Sequence, residues 1–306
     1  MDISGIMLKM LLLVLTVMVG FVANKNGLMD KEFSSRLSKF LLDVTVPAVL
    51  LSSGMSDDIH FAPDRILRLF VLALIIFLIS AVVSFFVPAI IRACQNEVGA
   101  YRVLTTFPNS IFMGYPMVSA FFGSSAIIYP AIFAIPFNIA LFAVGPIMFG
   151  AKPAKGVQLK DIFNKCTVFS ILAMVLLLLP FQMPQLIKEF CSSLGGVTSP
   201  LALVIIGSNL ADMDLKRSFR NTKLYLFSGF RLIILPVICF FILKPFITDN
   251  VVLGSAIIMA GLPSAATATL VAAKYGGDEE LSSQGVVMTT VFSVITIPIV
   301  MYLLFK

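Results

Sequence analysis

The sequence predicts an all-α membrane protein of about ten transmembrane helices, set as two inverted five-helix repeats with broken crossing helices 4 and 9. Three observations predict it. Of 306 residues, 59% are hydrophobic and 12% charged, with a mean hydropathy of +1.02. A soluble domain carries roughly a quarter charged residues, so too few polar groups remain here to cover a soluble surface. Apolar stretches long enough to cross a bilayer recur about ten times along the chain. They fall five to a half, and the halves share proline signals at the same ordinal positions.

The first span, Ile3–Ala23, reads as a retained helix. Only Lys9 precedes its core, while Lys25, Lys31, Arg36 and Lys39 follow it; a secretory leader places its positive charge first. Span two, Leu37–Ser53, contains Asp43 and Pro47. Span three is Ile66–Ile91. Span four, Val103–Phe122, contains Pro108, Asn109, Gly114 and Pro116. Span five, Ala126–Phe149, holds Asn138 and Pro146. Span six, Val168–Phe181, is short and ends at Pro180. Phe190–Leu210, with Pro200, is span seven, and Leu224–Leu243, with Arg231, is span eight. Val251–Ala273 and Gly285–Phe305 complete the set. Helices are preferred to a barrel, which would show alternating strands of about ten residues.

The basic residues give an orientation. Loops after odd-numbered spans hold about 15 of them, and the remaining loops and termini about five. By the positive-inside rule the odd loops are cytoplasmic and both termini extracellular, in the cell membrane. The chain then divides into a first repeat (1–150), a short cytoplasmic linker (151–165) and a second repeat (166–306). With an odd number of spans each, the two halves enter the bilayer from opposite sides. Span two reads VTVPAVLLSSG and span seven VTSPLALVIIGS. Span four carries FPNS and ends SAFFG; span nine reads GLPSAATATLVAAKYGG and stops at Tyr275–Gly276. Spans five and ten carry late prolines, Pro146 and Pro298.

Broken helices at membrane depth are tolerated only where protein or a water-filled cavity meets the freed backbone groups. Crossing half-helices point positive N-terminal ends at an anion, and their unwound carbonyls hold a cation or accept from a substrate. Pro108 and Pro116 each remove a backbone donor, Gly114 allows close approach, and Asn109 offers a donor and an acceptor beside the break. In span nine Gly261 and Pro263 make the break, with Ser264, Thr267 and Thr269 supplying hydroxyls. Asn138 offers a further amide, to a substrate or to a neighbouring helix.

Ionisable groups inside spans are costly in hydrocarbon. Asp43 lies four residues before Pro47, on the same helix face. It reads either as a coupling group or as a structural carboxylate near the inner surface, satisfied by loop amides or Lys39. Arg231 reads as a partner for Asp43, a substrate contact, or a side chain that snorkels to an interface.

Other classes are excluded by what the pattern lacks. The net charge of +6 belongs to loops and is no nucleic-acid signal. A single histidine, His60, and four scattered cysteines make no metal site, and no cofactor motif occurs. The acidic run Asp278–Glu279–Glu280 reads as a solvated loop, and Tyr275 breaks any G-x-G-D pattern. No nucleophile–base constellation points to an enzyme.

The run FPNSIFMGYP at Phe107–Pro116, the C-terminal stretch from GLPSAATATLVAAKYGG onward, and LLDVTVPAVLL in span two resemble the auxin efflux carrier (PIN-like) family, over the whole chain. The resemblance implies a scaffold part and a mobile transport part, with the crossover in helices 4 and 9. It implies a transporter that exports a small organic anion, such as a carboxylate, by alternating access. Pro108 and Asn109 would contact substrate, with Pro263 and Ser264 as partners. The alternative is a sodium- or proton-coupled organic-anion symporter of the bile-acid type. The linker is short beside the long loop of plant members, and Asp43 is ionisable where several relatives are not. The resemblance therefore leaves H+, Na+ or the membrane potential as the driving force. Exposed helix faces permit a homodimer.

Overall fold

The computed structural model describes residues 3–55, 63–150, 165–178, 183–212 and 215–305. The linker residues 151–164, together with Asp57, Asp58, His60 and Pro180, lie outside them. Every regular element among the described residues is helical, and one isolated β-bridge joins two of the helix interruptions. The first half contains α1 (Ile3–Lys25), α2 (Lys31–Gly54), α3 (Pro63–Ile90), α4 (Val98–Thr106), α5 (Ser110–Phe122) and α6 (Ile128–Ala143). The second contains α7 (Lys165–Leu178), α8 (Gln185–Asp212), α9 (Thr222–Leu243), α10 (Asn250–Gly261), α11 (Thr267–Tyr275) and α12 (Glu279–Phe305). Five of these, α2, α3, α8, α9 and α12, are long and apolar enough to cross a membrane.

Several helices begin earlier than hydropathy predicts, and at two of them, α2 and α12, a polar cap marks the extension. Asp30 Oδ1 accepts from the Phe33 amide at 2.7 Å, so α2 starts at Lys31 rather than Leu37. Asp278 Oδ1 accepts from the Leu281 amide at 2.9 Å, and α12 opens at Glu279 rather than Gly285. The acidic run expected as a loop thus forms the cap and first turn of a helix. Its negative charge suits the positive end of that helix.

Three helices widen into a π-helical turn, at Leu41–Thr45, Ser110–Gly114 and Phe230–Ile234. Each widened turn ends two residues before a proline: Pro47, Pro116 or Pro236. Proline brings no N–H and its ring crowds the carbonyl four residues back, so the preceding turn opens.

The helices pack in two groups that mix the halves of the chain. In one, α1 lies along α8, while α2 packs against both α7 and α8. In the other, α3 packs on α4 and α6, and α9 packs on α10 and α12. The α1–α8 seam is backbone to backbone. A Cβ added at Gly20 would lie 1.9 Å from the Val204 carbonyl oxygen, and one at Gly207 would lie 1.9 Å from that of Val17. The α2–α7 contact is built alike: a Cβ added at Gly54 would lie 2.6 Å from the Ala173 carbonyl oxygen. Small residues at such seams let helices approach without a hydrophobic driving force. At one end of the first seam, Asn24 Nδ2 donates to Ser208 at 3.1 Å and Asp212 at 2.9 Å, and Ser34 shares a hydrogen bond with Ser208 at 2.7 Å.

Outward faces are apolar. Leu8, Leu12, Leu15, Val19 and Val22 form an exposed stripe on α1, as do Leu67, Val71, Leu74 and Leu78 on α3. Faces of this kind suit lipid, while hydroxyls such as Ser80, Ser84, Ser255 and Thr289 are buried.

Candidate functional site

The second helix group is organised around two interruptions. The chain between α4 and α5, Phe107–Asn109, lies antiparallel to the chain between α10 and α11, with Pro108 bridged to Ser264. The Asn109 amide donates to the Pro263 carbonyl at 2.8 Å, and the Ala265 amide donates to the Phe107 carbonyl at 2.9 Å. Each break therefore supplies the partners that the other lost.

Most of the remaining backbone groups at the crossing are also paired, as burial demands. The Ser264 hydroxyl donates to the Leu104 carbonyl at 2.8 Å, near the C-terminal end of α4. The Ser264 amide donates to Thr289 Oγ1 on α12 at 3.1 Å, and Thr289 donates to the Gly285 carbonyl at 2.7 Å. The Asn109 carbonyl accepts from the Met113 and Gly114 amides, both at 3.2 Å. The Arg231 guanidinium donates through Nη1 to the Ala260 carbonyl, in the last turn of α10. Residues Val252–Gly261 of α10 are all buried, so this chemistry lies deep in the protein.

One side chain at the crossing is left open. Asn109 is 7% exposed. Its carboxamide does not cap the turn that follows and has no partner among the described residues. Gly114 lies close by, and a Cβ there would sit 3.2 Å from Met259 Sδ and 3.3 Å from Leu262 Cδ1. The glycine lets the widened turn of α5 press onto the end of α10.

Two ion pairs hold the outer ends of the crossing helices. Arg65, in the first turn of α3, meets Asp249, the N-cap of α10, at 2.9 Å. Lys223, in the first turn of α9, meets Glu97, the residue before α4, at 2.6 Å. The 28 residues of α3 separate these levels by about 42 Å, so the pairs lie at opposite ends of the group. Burial pushes the Glu97 carboxyl up, but hydrogen bonds from Lys223 and the Cys94 amide, with the Lys223 charge, bring it below the ordinary carboxylate value. A surface depression of about 430 Å³ opens beside this pair, lined by Glu97, Arg220, Asn221, Asp278, Glu280 and Gln284 among others.

Residues 5–301 match the model of a family described as membrane transport protein. The chain belongs to that family. It is the auxin efflux carrier (PIN-like) family that the sequence resembles, a family of transporters and not of enzymes. An uncharacterised transporter of Methanothermobacter thermautotrophicus is 22% identical over 92% of this chain and 93% of its own. Another, of Methanocaldococcus jannaschii, is 22% identical over 94% and 95%. A Rhizobium meliloti protein whose name proposes it as a malonate transporter is 26% identical over 69% of this chain and 66% of its own.

Within this transporter the sequence candidates divide. Pro108, Asn109, Gly114, Pro263 and Ser264 meet at the crossing. Pro116 is buried one turn into α5 and explains the widened turn before it. Asn138 is half-buried on α6, a helix that packs against both α10 and the widened turn of α5. Asp43 lies elsewhere: its carboxylate pairs with Lys165 at 2.9 Å, not with Lys39 or Arg231. Arg231 neither pairs with Asp43 nor snorkels; it is 1% exposed and turned toward α10. Sequence reasoning misses Thr289 and the carbonyls of Leu104 and Ala260. Thr289 carries a weak signal, one of several hydroxyls, with Thr290, Ser293 and Thr296, in span ten.

Proposed function

We propose that this membrane protein is a secondary transporter that exports a small organic anion, a carboxylate, by alternating access around the crossing of the two broken helices. The observation that carries the proposal is the paired backbone at Pro108 and Ser264, with the Asn109 carboxamide left open beside it. The half-helices α5 and α11 start at this crossing, so their positive ends converge where a carboxylate would sit. Asn109 supplies a donor to that carboxylate, and Asn138 a second. The relative named for malonate supports a dicarboxylate as the first cargo to try.

The same reading takes the chain as ten spans in two inverted repeats. The paired first and second helices (α1 with α8, α7 with α2) support it. So do the ion pairs, since Arg65–Asp249 and Lys223–Glu97 each join the start of a third span to the start of the other half's broken span. The first group of helices serves as scaffold and the second carries the cargo. The basic loops face the cytoplasm and both termini face out, in the cell membrane. Export of an anion from a negative-inside cell is then favoured by about 2.3 kcal/mol per charge per 100 mV, without a coupling ion.

The test is uptake of radiolabelled malonate into proteoliposomes of the purified protein under an imposed potassium diffusion potential. Saturable flux that follows the potential is expected. Absence of flux for malonate and for a panel of mono- and dicarboxylates under any gradient would remove the anion reading.

A further inference from the structure

Arg231 is a whole positive charge with no carboxylate beside it. It is 1% exposed, and no ion pair is found for it among the described residues. Its Nε is buried with no hydrogen-bond partner, while Nη1 donates to the Ala260 carbonyl. An isolated buried charge is costly, so the position needs something that repays it. What it meets is the last turn of a half-helix that stops inside the protein. The final carbonyls of α10 have no helical partners and carry the negative end of its dipole.

The widened turn sets the reach. Arg231 sits within Phe230–Ile234, and Pro236 follows, packed against Gly261 at 3.5 Å from the position a Cβ would take. The turn and proline of α9 therefore abut the end of α10, and the guanidinium spans the short remaining distance. The equivalent end of α4 is treated differently. There the Leu104 carbonyl is met by the neutral hydroxyl of Ser264.

Freed carbonyls of a broken membrane helix are a place where transporters hold a coupling cation. We infer that in this protein the Arg231 guanidinium is a resident cation for that position. It supplies from the chain the positive charge that the end of α10 would otherwise take from a bound metal ion, so the crossing is charge-complete without sodium. Arg231 is then a positioning residue for the crossing, not a substrate contact. The inference rests on the transport reading above for its consequence, a carrier driven by potential without sodium coupling, but the measurement that decides it, thermal unfolding, uses no cargo.

The experiment is thermal unfolding of the full chain in detergent, in sodium chloride and in choline chloride of equal strength. Wild type, Arg231→Lys and Arg231→Gln are compared. Wild type and the Lys variant are expected to melt at one temperature in both salts. The Gln variant is expected to melt several degrees lower in choline and to recover part of that loss in sodium, as a small cation takes up the bared carbonyls. A sodium-specific rise in wild type or in the Lys variant overturns the inference. So does a Gln variant that melts like wild type in choline, or that falls equally in both salts. If the Gln variant yields no folded protein, the wild-type and Lys arms still decide. Malonate flux at equal pH, with choline replacing sodium, is expected at the rate seen with sodium. Lack of any flux would count against the anion reading alone, whereas sodium-stabilised wild type would count against the resident cation alone.

Discussion

At the first break Asn109 gives its backbone to both sides of the crossing and keeps its carboxamide open. At the second break Ser264 spends its hydroxyl on Leu104 and its amide on Thr289. Each break contains a proline, Pro108 or Pro263, two residues past the end of the helix before it, so the same device produces both. The difference comes from the side chain that follows. A serine hydroxyl is short and reaches only the adjacent helix end, which it braces. An asparagine carboxamide is longer and stays free beside the bridge. Interruption alone therefore does not leave a polar group open: the first break keeps one, which the proposed function assigns to recognition, while the second uses its polar groups to brace the crossing.

The largest effect should come from Asn109→Ala. Loss of hydrogen bonds to a charged group is worth about 1.5–3 kcal/mol, so flux should fall about 10- to 100-fold while the protein still elutes as a folded species. Wild-type flux in that variant would place recognition elsewhere and break the comparison. Ser264→Ala should act the other way round. It strips the Leu104 carbonyl of its partner and should lower stability by about 1–3 kcal/mol, read as a lower melting temperature, with a smaller loss of flux than Asn109→Ala. If Ser264→Ala instead abolishes flux at unchanged stability, both breaks recognise cargo.

The smallest effect concerns the pair that anchors the first broken helix. The folded-state value of Glu97 lies below its ordinary one. The stability it contributes is therefore complete above the ordinary carboxylate range of about 4.3 and lost as pH falls through the lower, folded value. Melting temperatures recorded from neutral pH downward should drop across that acid window in wild type, and Glu97→Gln should flatten this part of the curve. An unchanged acid limb would assign the loss to other groups.

Much of this is legible in the sequence, for a physical reason. Proline removes a helix hydrogen bond, and in FPNS and LPS a polar residue that can pair elsewhere follows it, so these runs mark both interruptions, whereas Pro88, Pro136 and Pro298, each with an apolar residue on either side, stay inside continuous helices. What stays illegible is the other half of each bond. The Leu104 and Ala260 carbonyls have no side-chain signature, because every residue carries one. Arg231 is visible as a misplaced charge, but its partner is a backbone atom 29 positions away. The early starts of α2 and α12 are missed because hydropathy sees the apolar part of a helix and not the Asp30 and Asp278 caps that extend it. Asp43 looks eligible by burial in its span, yet the Lys165 that pairs with it lies across the chain's midpoint.

The glycine seam between α1 and α8 works as a keyed joint. A slide of one helical turn would bring Thr16 or Asn24 to the place of Gly20, against a backbone that leaves no room for a Cβ. The matching contact at Gly207 forbids the same slip from the other side. These two helices can only travel together, whatever the membrane does around them. If the crossing is displaced as the proposed function requires, that travel would be taken up elsewhere than at this joint, whose register then serves as a fixed ruler against which to measure it.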